Sequence, residues 1–281
     1  MIQHIVPPVV RVVEGERSPQ DVSLFPEELA IIRNAAEKRR RDFRAGRACA
    51  HLALAALGIH DVAIPSGPRR EPLWPAGVVG SITHCPGYVA AAVTFGEHLL
   101  ALGIDAEEWG AAGSDIESFI CTAAELDRYR DSEHPRWRTL VFSAKESLFK
   151  ALYPLRHVEL EFPDVEVALE HPRKWQEDEQ EDEQERSPAM VSQGRFSVSP
   201  GRALGSLAAD IERIQGRFLL RGHHVFTTAW LLPNLDTEVE KTSRRGQTAT
   251  RFRDSSGEAG RDHSAWRTFA SPGRKQQDPA P

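Results

Sequence analysis

The sequence has little cysteine, no long apolar run and no excess of positive charge. Three of its 281 residues are cysteines, at positions 49, 85 and 121, and no two of them form a C-x-x-C spacing. This pattern indicates neither a disulfide framework nor a zinc site. No apolar stretch reaches the roughly 18 residues that a membrane-spanning helix needs. The net charge of −6 argues against general nucleic-acid binding, which depends on an excess of Lys and Arg.

Common targeting and nucleotide-binding motifs are also missing. Residues 1–16 lack the basic region, apolar core and cleavage site of a secretory signal. We therefore expect a cytoplasmic protein that neither enters a membrane nor binds nucleic acid. No Walker loop, G-x-G-x-x-G or G-x-S-x-G motif occurs, so the commonest nucleotide-binding and acyl-hydrolase sites are not indicated.

Hydrophobic periodicity predicts alternating strands and helices up to about residue 233. A polar segment, 234–281, has few apolar residues and is expected to be a disordered tail. The acidic run QEDEQEDEQER at 176–186 is expected to be a mobile loop for the same reason. Strands are predicted at 9–13, 78–84, 88–95, 99–105, 157–169, 194–200 and 216–232, the last with a turn near Gly222, and helices from Pro26 and over 35–57, 121–131 and 137–153. Glu27 and Glu28 would lie in the first turn of the helix that begins at Pro26, where acidic residues favour a helix start.

Two carboxylates stand two positions apart where the stretch LGIDAEE ends. On a strand, Asp105 and Glu107 would share one face while Ala106 points to the other. Like charges this close raise each other's pKa unless water or a cation lies between them. Mg²⁺ would supply that charge, since it binds through one or two carboxylates together with substrate phosphates. The alternative is a strand that simply ends in a solvated loop.

A third carboxylate lies in the predicted helix FSAKESLFKAL. Glu146 and Lys150 are four residues apart and would share one helical face. Glu146 could therefore join a metal site shared with a phosphate-bearing substrate. The alternative is structural: Ser143 and Glu146 would form a capping box, and Glu146 with Lys150 an ordinary surface pair.

Basic residues follow one face of the predicted helix 35–57, at positions 40, 44, 47 and 51. The loop after it adds Arg69 and Arg70. Arginine suits phosphate because its planar fork donates two hydrogen bonds at once. A solvated basic surface is the plain alternative. His84, at the end of a predicted strand, could equally be a core histidine, a metal ligand or a phosphate donor.

Four motifs in this order resemble the 4′-phosphopantetheinyl transferases, specifically the monomeric type that serves siderophore, nonribosomal peptide and polyketide synthases. They are RRRDFRAGR, EPLWPAGVVGSITH, GIDAE and FSAKESLFKA, and the resemblance runs from about residue 25 to 155. It implies an α+β fold in which two similar halves, 1–100 and 101–233, are related by a pseudo-twofold axis. Coenzyme A would bind in the cleft between these halves.

The resemblance also implies roles for individual residues. Asp105, Glu107 and Glu146 would be the Mg²⁺ ligands, and Glu146, directly or through a water, the base for a serine proton. Lys150 would meet the pyrophosphate and, with Glu146 and His84, form the catalytic group. The remaining coenzyme A contacts would come from Arg39, Arg47, Ser66, Gly67, Pro68 and Arg69 at the adenine and 3′-phosphate end, and from Thr83 and His84 at the nucleotide and its phosphates.

The implied reaction is Mg²⁺-dependent transfer of the phosphopantetheine arm of coenzyme A to a serine of an apo acyl, peptidyl or aryl carrier protein. The other product would be 3′,5′-adenosine bisphosphate. Two alternatives remain: an inactive homologue that binds coenzyme A or a carrier protein, and a hydrolase of coenzyme A or a nucleotide pyrophosphate. Because both halves of the site would lie in one chain, a monomer would be sufficient for activity. The segment 110–135 is expected to recognise the carrier protein.

Overall fold

The computed structural model describes residues 1–15, 23–112, 116–130, 137–170, 176–177 and 190–234. Over these ranges the chain folds into antiparallel sheets and packed helices, which confirms the predicted α+β class. The expected tail beyond Asn234 lies outside the described residues, as does the acidic run apart from Gln176 and Glu177. No helix in the described ranges is long and apolar enough to span a membrane.

Nine strands and six α-helices are formed by the described residues, together with short 3-10 helices at Ile2–His4 and Phe162–Asp164. In chain order they are β1 (Arg11–Gly15), α1 (Pro26–Ile31), α2 (Glu37–Ala55), β2 (Val78–Cys85), β3 (Tyr88–Phe95), β4 (Ala101–Glu108), α3 (Glu117–Ile120), α4 (Ala123–Tyr129), α5 (Trp137–Arg156), β5 (Val165–Leu169), β6 (Gln176–Glu177), β7 (Met190–Pro200), α6 (Leu207–Arg213), β8 (Gln215–Arg221) and β9 (His224–Leu231).

Local signals place most of these elements. Helix α1 begins at Pro26 as predicted, and Gly58, with φ +80°, follows the end of α2. The hairpins β2–β3 and β8–β9 turn at Gly87 and Gly222, both at positive φ. The strand predicted over 157–169 is wrong in its first half, since strand structure begins at Val165. A 3-10 helix precedes it.

The described strands form two antiparallel sheets that repeat one connectivity. The first has the order β1-β3-β2 and the second β4-β9-β8-β7-β5, with β6 paired to β7. In each sheet a first strand pairs with the last strand of a later hairpin, and a long helix in between, α2 or α5, packs on that sheet. This order agrees with two similar halves, although the pseudo-twofold axis stays a prediction.

The two sheets meet where β2 runs beside β4. Side-chain hydroxyls of β2 take the place of a regular backbone ladder: Ser81 Oγ accepts the N–H of Ile104 at 3.1 Å, and Thr83 Oγ1 accepts the N–H of Ala106 at 3.0 Å. Because all four groups are buried, these bonds satisfy backbone donors that water does not reach. The junction fixes the position of Asp105, which lies between the two bonded residues of β4.

Candidate active site

Asp105 occupies the junction between β2 and β4 with 2% of its surface exposed. Its Oδ1 accepts a hydrogen bond from Lys150 Nζ of α5 at 2.6 Å, and Thr83 Oγ1 lies 3.4 Å from the same oxygen. Lys150 and Asp105 are 45 positions apart, so packing of α5 on β4 creates the pair. Lys150 is therefore paired with Asp105 and not, as in the structural alternative, with Glu146 on the helix surface.

The three predicted metal ligands interact electrostatically. Burial, together with the carboxylates of Asp105 and Glu146 and against the opposing effect of Lys150, raises the pKa of Glu107 to about 8. Burial likewise raises the pKa of Glu146 to about 7. For Lys150, burial would lower the pKa, but the surrounding carboxylates outweigh it and hold the ammonium charged. Such a group of mutually repelling carboxylates is typical of a functional site.

The capping-box alternative for Glu146 is wrong. Ser143 lies in the middle of α5, where its hydroxyl is 2.9 Å from Thr227 Oγ1 of β9. The neighbouring Lys145 is fully buried and anchors the helix from the other side, because Nζ donates to Glu125 at 2.7 Å and to two backbone carbonyls. Sequence analysis missed this pair, since nothing local connects positions 125 and 145.

The oxygen atoms at this site suit a hard cation. Among the residues that the structure describes, Asp105 Oδ2 is buried and has no hydrogen-bond partner, and a buried carboxylate oxygen left unpaired carries a large desolvation cost. All three carboxylates offer the oxygen ligands that Mg²⁺ prefers. Within the described ranges, however, no three His, Cys, Asp or Glu side chains are close enough together to hold a metal ion. In this arrangement the ammonium of Lys150 is the positive charge that faces Asp105.

Arg47 is the most buried of the predicted phosphate-binding arginines, with 4% of its surface exposed. Its Nη2 donates to Ser66 Oγ at 3.1 Å and to the Pro65 carbonyl at 3.3 Å, and its guanidinium lies over the Phe43 ring. Burial lowers the pKa of Arg47 to about 10. A solvated basic surface therefore does not describe this position, and Arg47 instead holds the loop that carries Ser66.

A buried carboxylate that sequence analysis treated as a helix-start residue supports Arg47. Glu28 has no exposed surface, and its oxygens accept from His51 Nε2 at 2.9 Å and from the backbone N–H of Phe25 and Ile64. Arg47 Nε lies 3.9 Å from the same carboxylate. Because Glu28 fits the first turn of a helix as well, its role beside Arg47 has no separate sequence signal.

A cleft of about 180 Å³ lies beside the loop that follows α2. Arg39, Ser66 and Arg70 line it together with apolar residues of and just after α1, Ile31, Ile32 and Ala35. Burial lowers the pKa of Arg39, and the positive charge of Arg70 lowers it further. Two arginines that repel each other across a cleft present a site for an anion.

The loop itself is tightly folded. The Gly67 N–H donates to the Glu71 carbonyl at 2.9 Å, the Arg70 N–H donates to the Gly67 carbonyl at 2.9 Å, and Pro68 lies within this turn. A Cβ at Gly67 would meet the carboxyl end of the Glu71 side chain, which would have to move. Arg69 forms an ion pair with Glu159, which follows α5.

His84, at the end of β2, connects the carboxylates with the basic cleft. Desolvation lowers its pKa, and charges from both sides act on it: Asp42 and Arg39 of α2, and Lys150 and Asp105 at the junction of the sheets. The predicted residues thus follow one continuous path from Asp105, through His84, to the cleft beside Arg39. A phosphate-bearing substrate that spanned this path would meet cationic groups along it and carboxylates at one end.

Two family models match the chain. One describes the 4′-phosphopantetheinyl transferase N-terminal domain and matches residues 26–94. The other describes the 4′-phosphopantetheinyl transferase superfamily and matches residues 101–199. Together they cover the strands and helices that form the site.

Individual relatives show the same similarity. The 4′-phosphopantetheinyl transferase Npt of Nocardia iowensis is 39% identical over 171 residues, which are 60% of this chain and 77% of that protein. The 4′-phosphopantetheinyl transferase Svp of Streptomyces mobaraensis is 42% identical over 52% of this chain and 61% of its own length. Enterobactin synthase component D of Escherichia coli K12 is 39% identical over 47% of this chain and 63% of its own length.

Proposed function

Because the chain belongs to the 4′-phosphopantetheinyl transferase superfamily and is an enzyme of that class, we propose that it transfers the phosphopantetheine arm of coenzyme A to a serine of an apo carrier protein. The observation that carries this proposal is the group at the junction of the sheets. There Asp105 has one oxygen on Lys150 and the other buried without a partner. The ammonium of Lys150 could thus contact a pyrophosphate, and the carboxylate of Asp105 could contact a cation.

Coenzyme A would bind along the path from the basic cleft to Asp105. Arg39, Arg47, Ser66 and the turn Gly67–Arg69 would receive its adenine and 3′-phosphate end. Thr83 and His84 would contact the nucleotide and its phosphates, and Lys150 the pyrophosphate. The lining of the cleft by Arg39 and Ser66, with Arg47 directly behind Ser66, supports this orientation. The site would thus lie between the halves 1–100 and 101–233.

Asp105, Glu107 and Glu146 would hold Mg²⁺, which when bound supplies charge neutralisation for the pyrophosphate oxygens. The partnerless oxygen of Asp105 and the raised pKa values of the two glutamates support this assignment. Because these carboxylates repel one another, a bound cation would stabilise the site. When no cation is present, burial, assisted by this repulsion, raises the pKa of Glu107 to about 8 and that of Glu146 to about 7.

The chemical step would be a displacement at phosphorus. The serine oxygen of the carrier would bond to the β-phosphorus of coenzyme A as the bond from that phosphorus to 3′,5′-adenosine bisphosphate breaks. Glu146, directly or through a water, would take the serine proton. Lys150 would orient the pyrophosphate and counter the charge that develops on the leaving group.

The carrier would dock beside this site, on the segment 110–135. Two apolar side chains support that location: Phe119 of α3 is 67% exposed, and Trp109, directly after β4, is 40% exposed. Exposed aromatic residues are typical of a protein-binding surface. The Escherichia coli relative is named for enterobactin synthase, so carriers of siderophore, nonribosomal peptide and polyketide synthases are the partners to test.

Intact-mass measurement tests the proposal. The purified protein is incubated with coenzyme A, Mg²⁺ and a panel of apo acyl, peptidyl and aryl carrier proteins, with and without a chelator. We expect a Mg²⁺-dependent gain of about 340 Da on a carrier, which is the mass of one phosphopantetheine arm added to a nucleophilic serine. Glu108→Gln serves as the control for Asp105→Asn, since Glu108 is exposed and next to the site.

Two other results would replace the proposal. Cleavage of coenzyme A without a heavier carrier would favour the hydrolase, which uses water as the nucleophile. Binding of coenzyme A with no cleavage and no modified carrier would favour the inactive homologue. Asp105, Glu107, Glu146 and Lys150 are all present, which supports an enzyme over the inactive homologue.

A further inference from the structure

A second groove lies away from the path just described. It has a volume of about 500 Å³, within the usual size range of ligand pockets. Its lining combines the 3-10 helix near the N-terminus with strands β7 and β8 of the second sheet and the residue after β5. The lining residues are His4, Ile5, Glu170, Gln193, Gly194, Arg195 and Arg217.

Two arginines lie side by side in the lining of this groove. Arg195 of β7 and Arg217 of β8 are direct partners in the antiparallel register, so their side chains leave the same face of the sheet with their Cβ atoms about 5 Å apart. Like charges in this position destabilise a sheet. Within the part of the chain that the structure describes, neither guanidinium forms an ion pair. Among the described residues the two positive charges have no carboxylate partner, and a bound anion would balance them.

Other residues of the groove also suit an anion. The Arg217 guanidinium lies over the ring of Trp230, 5.3 Å from its centroid, and this contact restricts its orientation. Gln193 and His4 add further polar groups beside the two guanidinium forks. Paired forks of this kind match the oxygens of a phosphate group.

Strand register separates this groove from Asp105. Arg217 pairs with Thr228 of β9, and Thr228 pairs with Ile104 of β4. Ile104 precedes Asp105, and successive side chains of a strand point to opposite faces. The arginine pair and Asp105 therefore lie on opposite faces of the second sheet, so a ligand in the groove is not part of the proposed coenzyme A site.

We propose that the groove between Arg195 and Arg217 binds a small ligand through a phosphate monoester. The rest of that ligand is uncharged, because Glu170 lines the same groove and would repel a second negative group. Ile5 offers it an apolar contact. This proposal does not depend on the proposed transferase activity.

Glycerol 3-phosphate is a suitable probe, since it has one phosphate monoester and an uncharged remainder. Titration of the full-length protein, followed by ³¹P NMR, is compared for the wild type, Arg195→Gln, Arg217→Gln and Arg221→Gln. Arg221 lies on the same strand outside the groove and loses the same charge. We expect saturable binding by the wild type and Arg221→Gln, and at least tenfold weaker binding by the other two variants.

Two results would overturn the assignment. The first is equal binding by all four proteins, because the signal would then come from general charge. The second is displacement of the probe by saturating coenzyme A, because the probe would then occupy the coenzyme A cleft. If either glutamine variant fails to fold, Arg195→Lys replaces it: the charge is kept and the fork is lost, and weaker binding with an unchanged unfolding temperature is expected.

Discussion

Gly103 of β4 lies directly beneath the backbone of Ser147 in α5. A Cβ at position 103 would collide with the Ser147 carbonyl oxygen and lie 2.7 Å from the Ala151 backbone nitrogen. The absence of a side chain therefore lets α5 approach β4 closely enough for Lys150 Nζ to reach Asp105 Oδ1 at 2.6 Å. The glycine of the GIDAE motif sets the distance between the strand and the helix that carry the site.

Gly103→Ala should accordingly damage both fold and activity. Overpacking of a tight interface costs about 1–3 kcal/mol, and here the colliding atoms belong to the backbone. We expect a lower free energy of unfolding in urea and a lower kcat for carrier modification. Gly96→Ala is the matched control, since its nearest neighbour would be 3.5 Å away. Equal effects at the two positions would contradict the argument.

Asp105→Asn should reduce kcat for carrier modification far more than KM for coenzyme A. The change removes the charge that faces Lys150 and the cation, while the residues of the basic cleft stay in place. Steady-state kinetics at saturating Mg²⁺ separate the two constants. Glu108→Gln should behave like the wild type, because Glu108 is exposed. Near-normal turnover by Asp105→Asn would show that the metal assignment is wrong.

Glu107→Gln should make the metal-free protein more stable. Burial and the neighbouring carboxylates raise the pKa of Glu107 to about 8, so at pH 8 and above its ionised form costs folding free energy. The neutral amide removes this repulsion. Thermal unfolding in a chelating buffer at pH 8.5 measures the gain, with Glu108→Gln as the control. An unfolding temperature below that of the wild type would be inconsistent with repulsion at this site.

Arg69→Ala should raise KM for coenzyme A by roughly ten- to a hundredfold, since a charge-assisted hydrogen bond contributes about 1.5–3 kcal/mol. The change also breaks the ion pair with Glu159. Glu159→Gln breaks that pair without removing the arginine, so it controls for the structural part of the effect. If Glu159→Gln raised KM as much as Arg69→Ala does, Arg69 would act through the fold and not through the substrate.

Glu28→Gln should lower stability at pH 7 by about 1.5–3 kcal/mol, because hydrogen bonds to a charged acceptor are lost. Burial alone would raise the pKa of Glu28, but hydrogen bonds from His51, Phe25 and Ile64 outweigh it and lower the pKa below 4.5. This stabilisation is therefore complete above pH 4.5 or so and is lost as the pH falls through the lowered folded value.

Urea unfolding between pH 2 and 7 measures that dependence. The wild type should lose stability on acidification more steeply than Glu28→Gln does. Glu27→Gln, at the exposed neighbouring position, should keep the wild-type slope. Identical slopes for all three proteins would show that Glu28 is not held ionised by its partners.

Much of the architecture follows from the sequence alone. The periodicity of residues 37–55 and 137–156, and the alternation around β2, β3 and β4, predicted these elements to within a few residues. Glycines at the turns and the proline at the start of α1 added their boundaries. These signals are local, since they depend on backbone preferences and on which side of one element is apolar. The residues of the candidate site depended in addition on four motifs that resemble a known family.

Tertiary structure decided which of these side chains meet. Lys150 could have paired with Glu146 on its own helix, but the close packing at Gly103 gives it Asp105 as partner. Glu28 was expected to act on a helix terminus, and instead it lies buried beside His51 and Arg47. Such contacts depend on strand register and on helix packing between segments far apart in the chain. Local sequence patterns specify elements and their faces, whereas the distance between two charged groups is fixed only when those faces pack.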